Sequence, residues 1–213
     1  MRLYLSSFRN GNKPEELLKL LGKGRRTALI NNALDFLPQS DRSSRKDEEI
    51  DRLKSIGLDP IEIDLRLYFG KPQGLKEKLA AFDLIWVRGG NAFVLRRAFK
   101  QSGVDKVVAE LLTEDKVVYG GYSAGIDMLT PSLHGAELVD EPDIVPDSYT
   151  SDIIWDCLGL VPYAIAPHYK SDHPESAAID MSVEYLIDNH IPFIALRDGE
   201  VIVIDGEKQN ILS

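Results

Sequence analysis

The chain has 213 residues, a length that fits one domain with a core large enough to fold without disulfide or metal staples. Its formal net charge of −9 argues against the basic footprint that nucleic acid or an anionic membrane surface would require, and no apolar run is long enough to span a bilayer. One cysteine, Cys157, excludes an internal disulfide and fits a reducing cytoplasm; the opening MRLYLSSFRNGNK lacks the apolar stretch of a secretory signal.

Short apolar runs alternate with helical patterns from the first residues onward, the signature of a mostly parallel sheet covered by helices on both faces. Leu3 to Ser6 reads as the first strand. Asn12-Lys13-Pro14-Glu15 reads as an N-cap before Leu17, Leu20 and Leu21 at helical spacing. Thr27 to Asn31 is the second strand. The charge-dense stretch Asp41 to Asp51, with Ile50, Leu53 and Ile56 behind it, predicts a surface helix with a solvated face. Ile61 to Leu65 is expected as a third strand, Leu75 to Phe82 as a helix, and Leu84 to Val87 as a buried strand ending at Arg88-Gly89-Gly90-Asn91.

Helical pattern resumes at Ala92 and again over Val104 to Leu112. Lys116 to Tyr119 then runs as a strand into Gly120-Gly121-Tyr122-Ser123-Ala124-Gly125. From Pro131 to Pro162 the periodicity fades, which predicts an irregular or β-rich excursion. Tyr163 to Ala166 reads as a strand and Glu175 to Asn189 as a helix with Ala178, Met181 and Tyr185 on one face. Phe193 to Leu196 and Val201 to Ile204 are expected to close the chain as a hairpin. There is no repeat or linker, so residues 1–213 are expected to form a single domain.

Gly121-x-Ser123-x-Gly125 between a strand and a helical pattern fits a nucleophile elbow, where glycines are needed because a Cβ would strike neighbouring backbone. A serine hydroxyl needs a base. Of the four histidines, His190 sits at a helix end, where it complements the dipole, and His134 lies in the irregular segment. His168 follows a strand and is the expected base, with His173 in reserve. Asp198 ends a strand in Arg197-Asp198-Gly199 and is the candidate acid, although Asp-Gly is also a common hairpin turn; Asp140, Glu141, Asp143 and Asp127 compete with it. The backbone N–H groups of Ala124 and Gly90 are candidate oxyanion donors, while Asn91 is equally suited to capping the next helix. Cys157 lacks an elbow and reads as a core residue, and no set of three or four converging metal ligands is apparent.

With these residues in place, the chain resembles the peptidase E-like serine peptidases, the family of aspartyl dipeptidase and cyanophycinase. The likeness rests on Val87-Arg88-Gly89-Gly90-Asn91-Ala92-Phe93, similar to the family's G-G-G-N-T-F, on Gly121-Tyr122-Ser123-Ala124-Gly125, similar to G-x-S-A-G, and on Ala166-Pro167-His168-Tyr169, similar to N-P-H-F. The resemblance implies a flavodoxin-like three-layer αβα sandwich related to class I glutamine amidotransferases. It also implies Ser123 as nucleophile, His168 as base, Gly90 and Ala124 as oxyanion hole, and no cofactor. Leu196-Arg197-Asp198-Gly199 is similar to the family's L-P-E-G, which implies Asp198 as third member; Val139-Asp140-Glu141-Pro142 loosely matches an N-D-M-P stretch and keeps Asp140 as the alternative.

Two departures bear on specificity. The first loop glycine is Arg88, a cation expected with Asn91 at the substrate. Ala177 stands where the aspartyl dipeptidases of the family have an aspartate-binding arginine, so an acidic P1 preference is lost unless Arg88, Lys170 or Arg197 substitutes. The expected activity is hydrolysis of a peptide bond in a short peptide by a cytoplasmic enzyme, as a monomer or homodimer. Two other readings compete: an α/β-hydrolase esterase using Asp140 or Asp156 and then His173 or His190, or a non-catalytic module holding a small anion.

Overall fold

A computed structural model describes residues 1–213. Five parallel strands form the centre: β1 (Arg2–Ser6), β2 (Arg26–Ile30), β3 (Asp59–Glu62), β4 (Leu84–Val87) and β5 (Val118–Tyr122). They lie in the order β3-β2-β4-β5-β1, and β8 (Val201–Asp205) and β9 (Lys208–Leu212) extend the sheet antiparallel beyond β1. All four residues of Leu-Ile-Trp-Val in β4 are buried, as a strand covered on both faces requires.

On one face, α1 (Pro14–Leu21) and α2 (Gln39–Ser55) set Leu17 and Leu53 against Tyr4, Trp86 and Tyr122. On the other, α3 (Leu75–Ala80), α4 (Ala92–Ser102) and α5 (Val104–Thr113) set Leu79, Phe93, Phe99 and Leu111 against Leu3, Leu5, Ile85 and Val87. The result is the expected αβα sandwich with a mostly parallel sheet. No helix is long and apolar enough to cross a membrane.

Several local expectations are corrected. Phe193–Ala195 (β7) does not pair with Val201 but runs parallel to β6 (Ala164–Ala166) in a separate two-stranded sheet. The terminal hairpin is β8 with β9, turning at Asp205-Gly206, where Gly206 has φ 63°. The chain holds two Asp-Gly pairs, and the apolar Val-Ile-Val-Ile of β8 is better covered beside β1 than in a small outer sheet. The third strand ends at Glu62, because Asp64 accepts from the Arg66 N–H and starts a 3-10 turn over Leu65–Tyr68. Helix α1 has no side-chain N-cap; Pro14 at its first position supplies the start that was expected of Asn12.

The buried face of α7 (Ser176–Asp188) carries Ile179, Ser182, Val183 and Leu186, whereas Met181 is exposed. Helix α2 is not merely solvated on its charged side: Arg42 and Glu49 are buried. The 131–162 segment is irregular rather than β-rich, and two arginines of α4 hold it. Arg97, fully buried, donates to the carbonyls of Asp152 (2.9 Å), Ile144 (3.2 Å) and Pro142 (2.8 Å), and Arg96 donates to that of Asp156 (2.6 Å). Carbonyls of a segment without regular strands are thereby satisfied.

Candidate active site

Strand β5 runs through both glycines to Tyr122, so the turn begins at Ser123 itself. Gly120 lies where a Cβ would stand 2.8 Å from the Trp86 ring. A Cβ on Gly121 or Gly125 would strike the Val87 carbonyl oxygen, and one on Gly89 would come within 2.8 Å of Ser123 Cβ. Gly89, Gly121 and Gly125 therefore let the turn sit directly on the end of β4. Ser123 has φ 49° and ψ −130°, a strained conformation for a non-glycine residue, and α6 (Ala124–Asp127) starts immediately after it.

His168 follows β6 with φ 58° and is 1% exposed. Its Nδ1 lies 2.7 Å from Asp198 Oδ1, which also accepts from the Ser7 hydroxyl at 2.8 Å. Ser7 Oγ in turn accepts the His168 backbone N–H at 2.8 Å, so one buried serine at the end of β1 ties the histidine to its carboxylate. The Asp198 backbone N–H is held by Ser171 Oγ at 2.8 Å. His173 stacks on His168 with ring centroids 3.6 Å apart, and Phe8 meets both rings edge-on. Burial lowers the His168 pKa below the ordinary imidazole value, aided by repulsion from His173 and opposed by Asp198. The other ring nitrogen, Nε2, faces Glu175 Oε2 at 3.9 Å and is not hydrogen-bonded to Ser123. Both His168 and Ser123 line one cleft of about 750 Å³ at the carboxyl edge of the sheet.

Gly90, with φ 146°, passes so close to Ala33 that a Cβ would lie 2.7 Å from its carbonyl oxygen, and the Gly90 N–H enters no backbone hydrogen bond. Ala124 holds the first position of α6, where N–H groups have no intrahelical acceptor. Asn91 caps α4: Oδ1 accepts the Val94 N–H at 2.9 Å while Nδ2 donates to the Glu141 carbonyl. Arg88 lines the cleft and pairs with Glu49 at 3.5 Å.

Asp140 is the other proposed acid, and it accepts the Ala92 N–H at 2.7 Å at the start of α4 instead of meeting an imidazole. Burial pushes its pKa up to about 7. With Asp127, Glu175 and Ser123 it also lines a smaller cavity of about 40 Å³ on the α6–α7 side. Burial likewise raises the Asp127 pKa, well above the usual carboxylate range.

The remaining candidates separate from the site. His134 stacks on Trp155, His190 and Asp156 are exposed, and burial pushes the Cys157 thiol up to about 12, which leaves it protonated. Asp156 and His190 therefore give the esterase order no support. Ala177, Lys170 and Arg197 are exposed and line neither cavity. His168, His173 and Glu175 place ligand atoms within 4.8 Å of one another. The two stacked rings, however, aim their in-plane lone pairs side by side rather than at a shared tetrahedral point.

Sequence reading missed Ser7, Phe8, Glu49, Arg52 and Tyr122. Glu49, 1% exposed on α2, accepts from Trp86 Nε1 at 2.7 Å and the Tyr122 hydroxyl at 2.9 Å, and it pairs with Arg52 and Arg88. The only signal for it in the sequence was the i, i+3 spacing of Glu49 and Arg52 within a charge run.

Comparison with known proteins bears on the family and the fold of the chain. The model of peptidase family S51 matches residues 6–212. Peptidase E of Streptomyces coelicolor is 31% identical over 136 residues, 62% of this chain and 52% of that protein. A probable alpha-aspartyl dipeptidase of Drosophila melanogaster is 31% identical over 147 residues, 67% of this chain and 56% of that protein. The aligned regions thus span little more than half the length of these two relatives. A crystal structure of a peptidase E candidate from Listeria monocytogenes EGD-e superimposes with a TM-score of 0.78 at 23% identity, covering 99% of this chain and 97% of that one, which shows a shared fold. The chain belongs to peptidase family S51.

Proposed function

We propose that this protein is a serine peptidase that cleaves short peptides through Ser123, His168 and Asp198. His168 Nε2 takes the Ser123 proton as Oγ attacks the scissile carbonyl, once substrate binding brings the two side chains within hydrogen-bond reach. The oxyanion is received by the N–H groups of Gly90 and Ala124. Collapse breaks the C–N bond, and the proton on His168 passes to the leaving amine. Water, deprotonated by His168, then releases the acyl group and restores Ser123.

Asp198 holds His168 Nδ1 protonated, so that Nε2 is the basic nitrogen. The observation carrying this reading is the His168–Asp198–Ser7 hydrogen-bond set opening onto the same cleft as a strained Ser123. Two relatives bearing the names peptidase E and alpha-aspartyl dipeptidase support a peptidase acting on dipeptides. Ala177, exposed and outside both cavities, supplies no clamp for an acidic P1 residue.

The test is hydrolysis of a dipeptide panel by the wild type and Ser123→Ala. Turnover is expected only in the wild type, with both proteins equally folded by circular dichroism. Unchanged turnover in Ser123→Ala overturns the proposal.

A further inference from the structure

Three guanidinium groups, of Arg9, Arg52 and Arg88, line the cleft, and two of them share a single carboxylate. Arg52 and Arg88 both pair with Glu49, which is already engaged by Trp86 and Tyr122. Arg52 also donates to Asn10 Oδ1 at 2.9 Å and lies over the Tyr122 ring. Arg9 follows β1 in a left-handed conformation, φ 51°, with its guanidinium 4.8 Å from the centre of the Phe8 ring, the same ring that packs on His168. Burial lowers the Arg52 pKa, and the nearby positive charges of Arg88 and Arg9 lower it further. Arg52 and Arg88 share Glu49 as their ion-pair partner and Arg9 has none, while Arg45, Glu48, Asp140, Glu141 and Glu175 complete the charged lining of the cleft. The buried Arg88 Nε–H lies 3.5 Å from Glu49 Oε2 and completes no hydrogen bond. Crowding like charges is unfavourable unless an anion completes the set.

The smaller cavity on the α6–α7 side holds no cation. Asp127, Asp140 and Glu175 line it beside Ser123, and no lysine or arginine does. Asp140 and Glu175 border both spaces, so what separates them is the cations: a carboxylate finds guanidinium partners only in the cleft. The geometry points to Arg9, Arg52 and Arg88 as the receptor for the C-terminal carboxylate of the departing residue, so that the substrates are short peptides with a free C-terminus and a non-acidic P1 residue. This inference rests on Ser123 as the point of cleavage. A planar guanidinium set suits a carboxylate better than lysines would, because it offers paired N–H donors in the carboxylate plane.

Binding to Ser123→Ala tests the assignment without requiring turnover. Titration calorimetry would compare Ala-Leu, Ala-Leu-amide and Asp-Leu-amide, the last carrying its only carboxylate on the P1 side chain. Ala-Leu is expected to bind about tenfold or more tightly than Ala-Leu-amide, the usual scale for charge-assisted hydrogen bonds. The gap should close in Ser123→Ala proteins carrying Arg9→Gln or Arg88→Gln, through loss on the free acid alone. Equal affinity for acid and amide overturns the inference, as does an undiminished gap in both arginine variants or the absence of binding by any peptide. Asp-Leu-amide matching Ala-Leu overturns the placement on the leaving side. Failure of the wild type to hydrolyse a peptide that binds in this pattern would instead count against the peptidase reading.

Discussion

His168 Nδ1 and Asp198 Oδ1 lie 2.7 Å apart, and Ser7 bonds both residues. A carboxylate so placed fixes the tautomer of the ring and stabilises the imidazolium formed during proton transfer. Asp198→Asn is therefore expected to lower kcat by about 10³–10⁴-fold with little change in KM. Asp140→Asn leaves the imidazole hydrogen bond in place and should cost far less. Steady-state kinetics on the two variants checks this, and a larger loss in Asp140→Asn would exchange their roles.

The pH profile follows from the same histidine. Only neutral His168 can accept the Ser123 proton, and burial with His173 repulsion holds its pKa down. The acid limb of kcat/KM should thus fall below about pH 6.5, the ordinary imidazole value. His173→Gln removes the stacked neighbour and should move that limb to higher pH. A limb that starts above pH 6.5 in the wild type, or moves lower in the variant, contradicts the assignment.

Glu49 anchors the arginines to the sheet. Removing its carboxylate leaves Arg52 and Arg88 close together with no counter-charge and deprives the Trp86 and Tyr122 donors of their acceptor. Glu49→Ala is expected to lower unfolding free energy by about 3 kcal/mol, measured by urea denaturation. A loss under about 0.5 kcal/mol, typical of a surface substitution, would show that the network is solvated.

Asp140 links stability to pH. Its pKa is raised by burial from 3.8 to about 7, so between these values the native state binds more protons than the unfolded chain. Its contribution is full at low pH and is lost as pH rises through about 7. Asp140→Asn keeps an acceptor for the Ala92 N–H and removes the titration. The drop in Tm from pH 5 to pH 8 should then be smaller in the variant than in the wild type, and an equal drop would refute the linkage.

What the sequence discloses and what it hides divides along physical lines. Leu84–Val87 is legible because a strand buried on both faces must be apolar throughout, and the turn at Ser123 because only glycine permits its contacts with Val87. His168 and Asp198 could be named, but not their meeting through Ser7, which lies 161 and 191 positions from them along the chain. Glu49 is hidden for a related reason. Within its helix it is one more charge in a charged run, and its burial is decided by Trp86 and Tyr122, which arrive from other strands. The pairing of β7 with β6 was masked by two competing Asp-Gly turns.

The proposed reaction requires Ser123 to be a nucleophile activated by His168. Intact-mass analysis after reaction with a fluorophosphonate tests it most directly. The wild type is expected to gain one adduct, mapped to Ser123, that is absent in Ser123→Ala, slowed by orders of magnitude in His168→Gln, and absent after heat denaturation. No adduct on the native wild type, or equal labelling of His168→Gln, would contradict it.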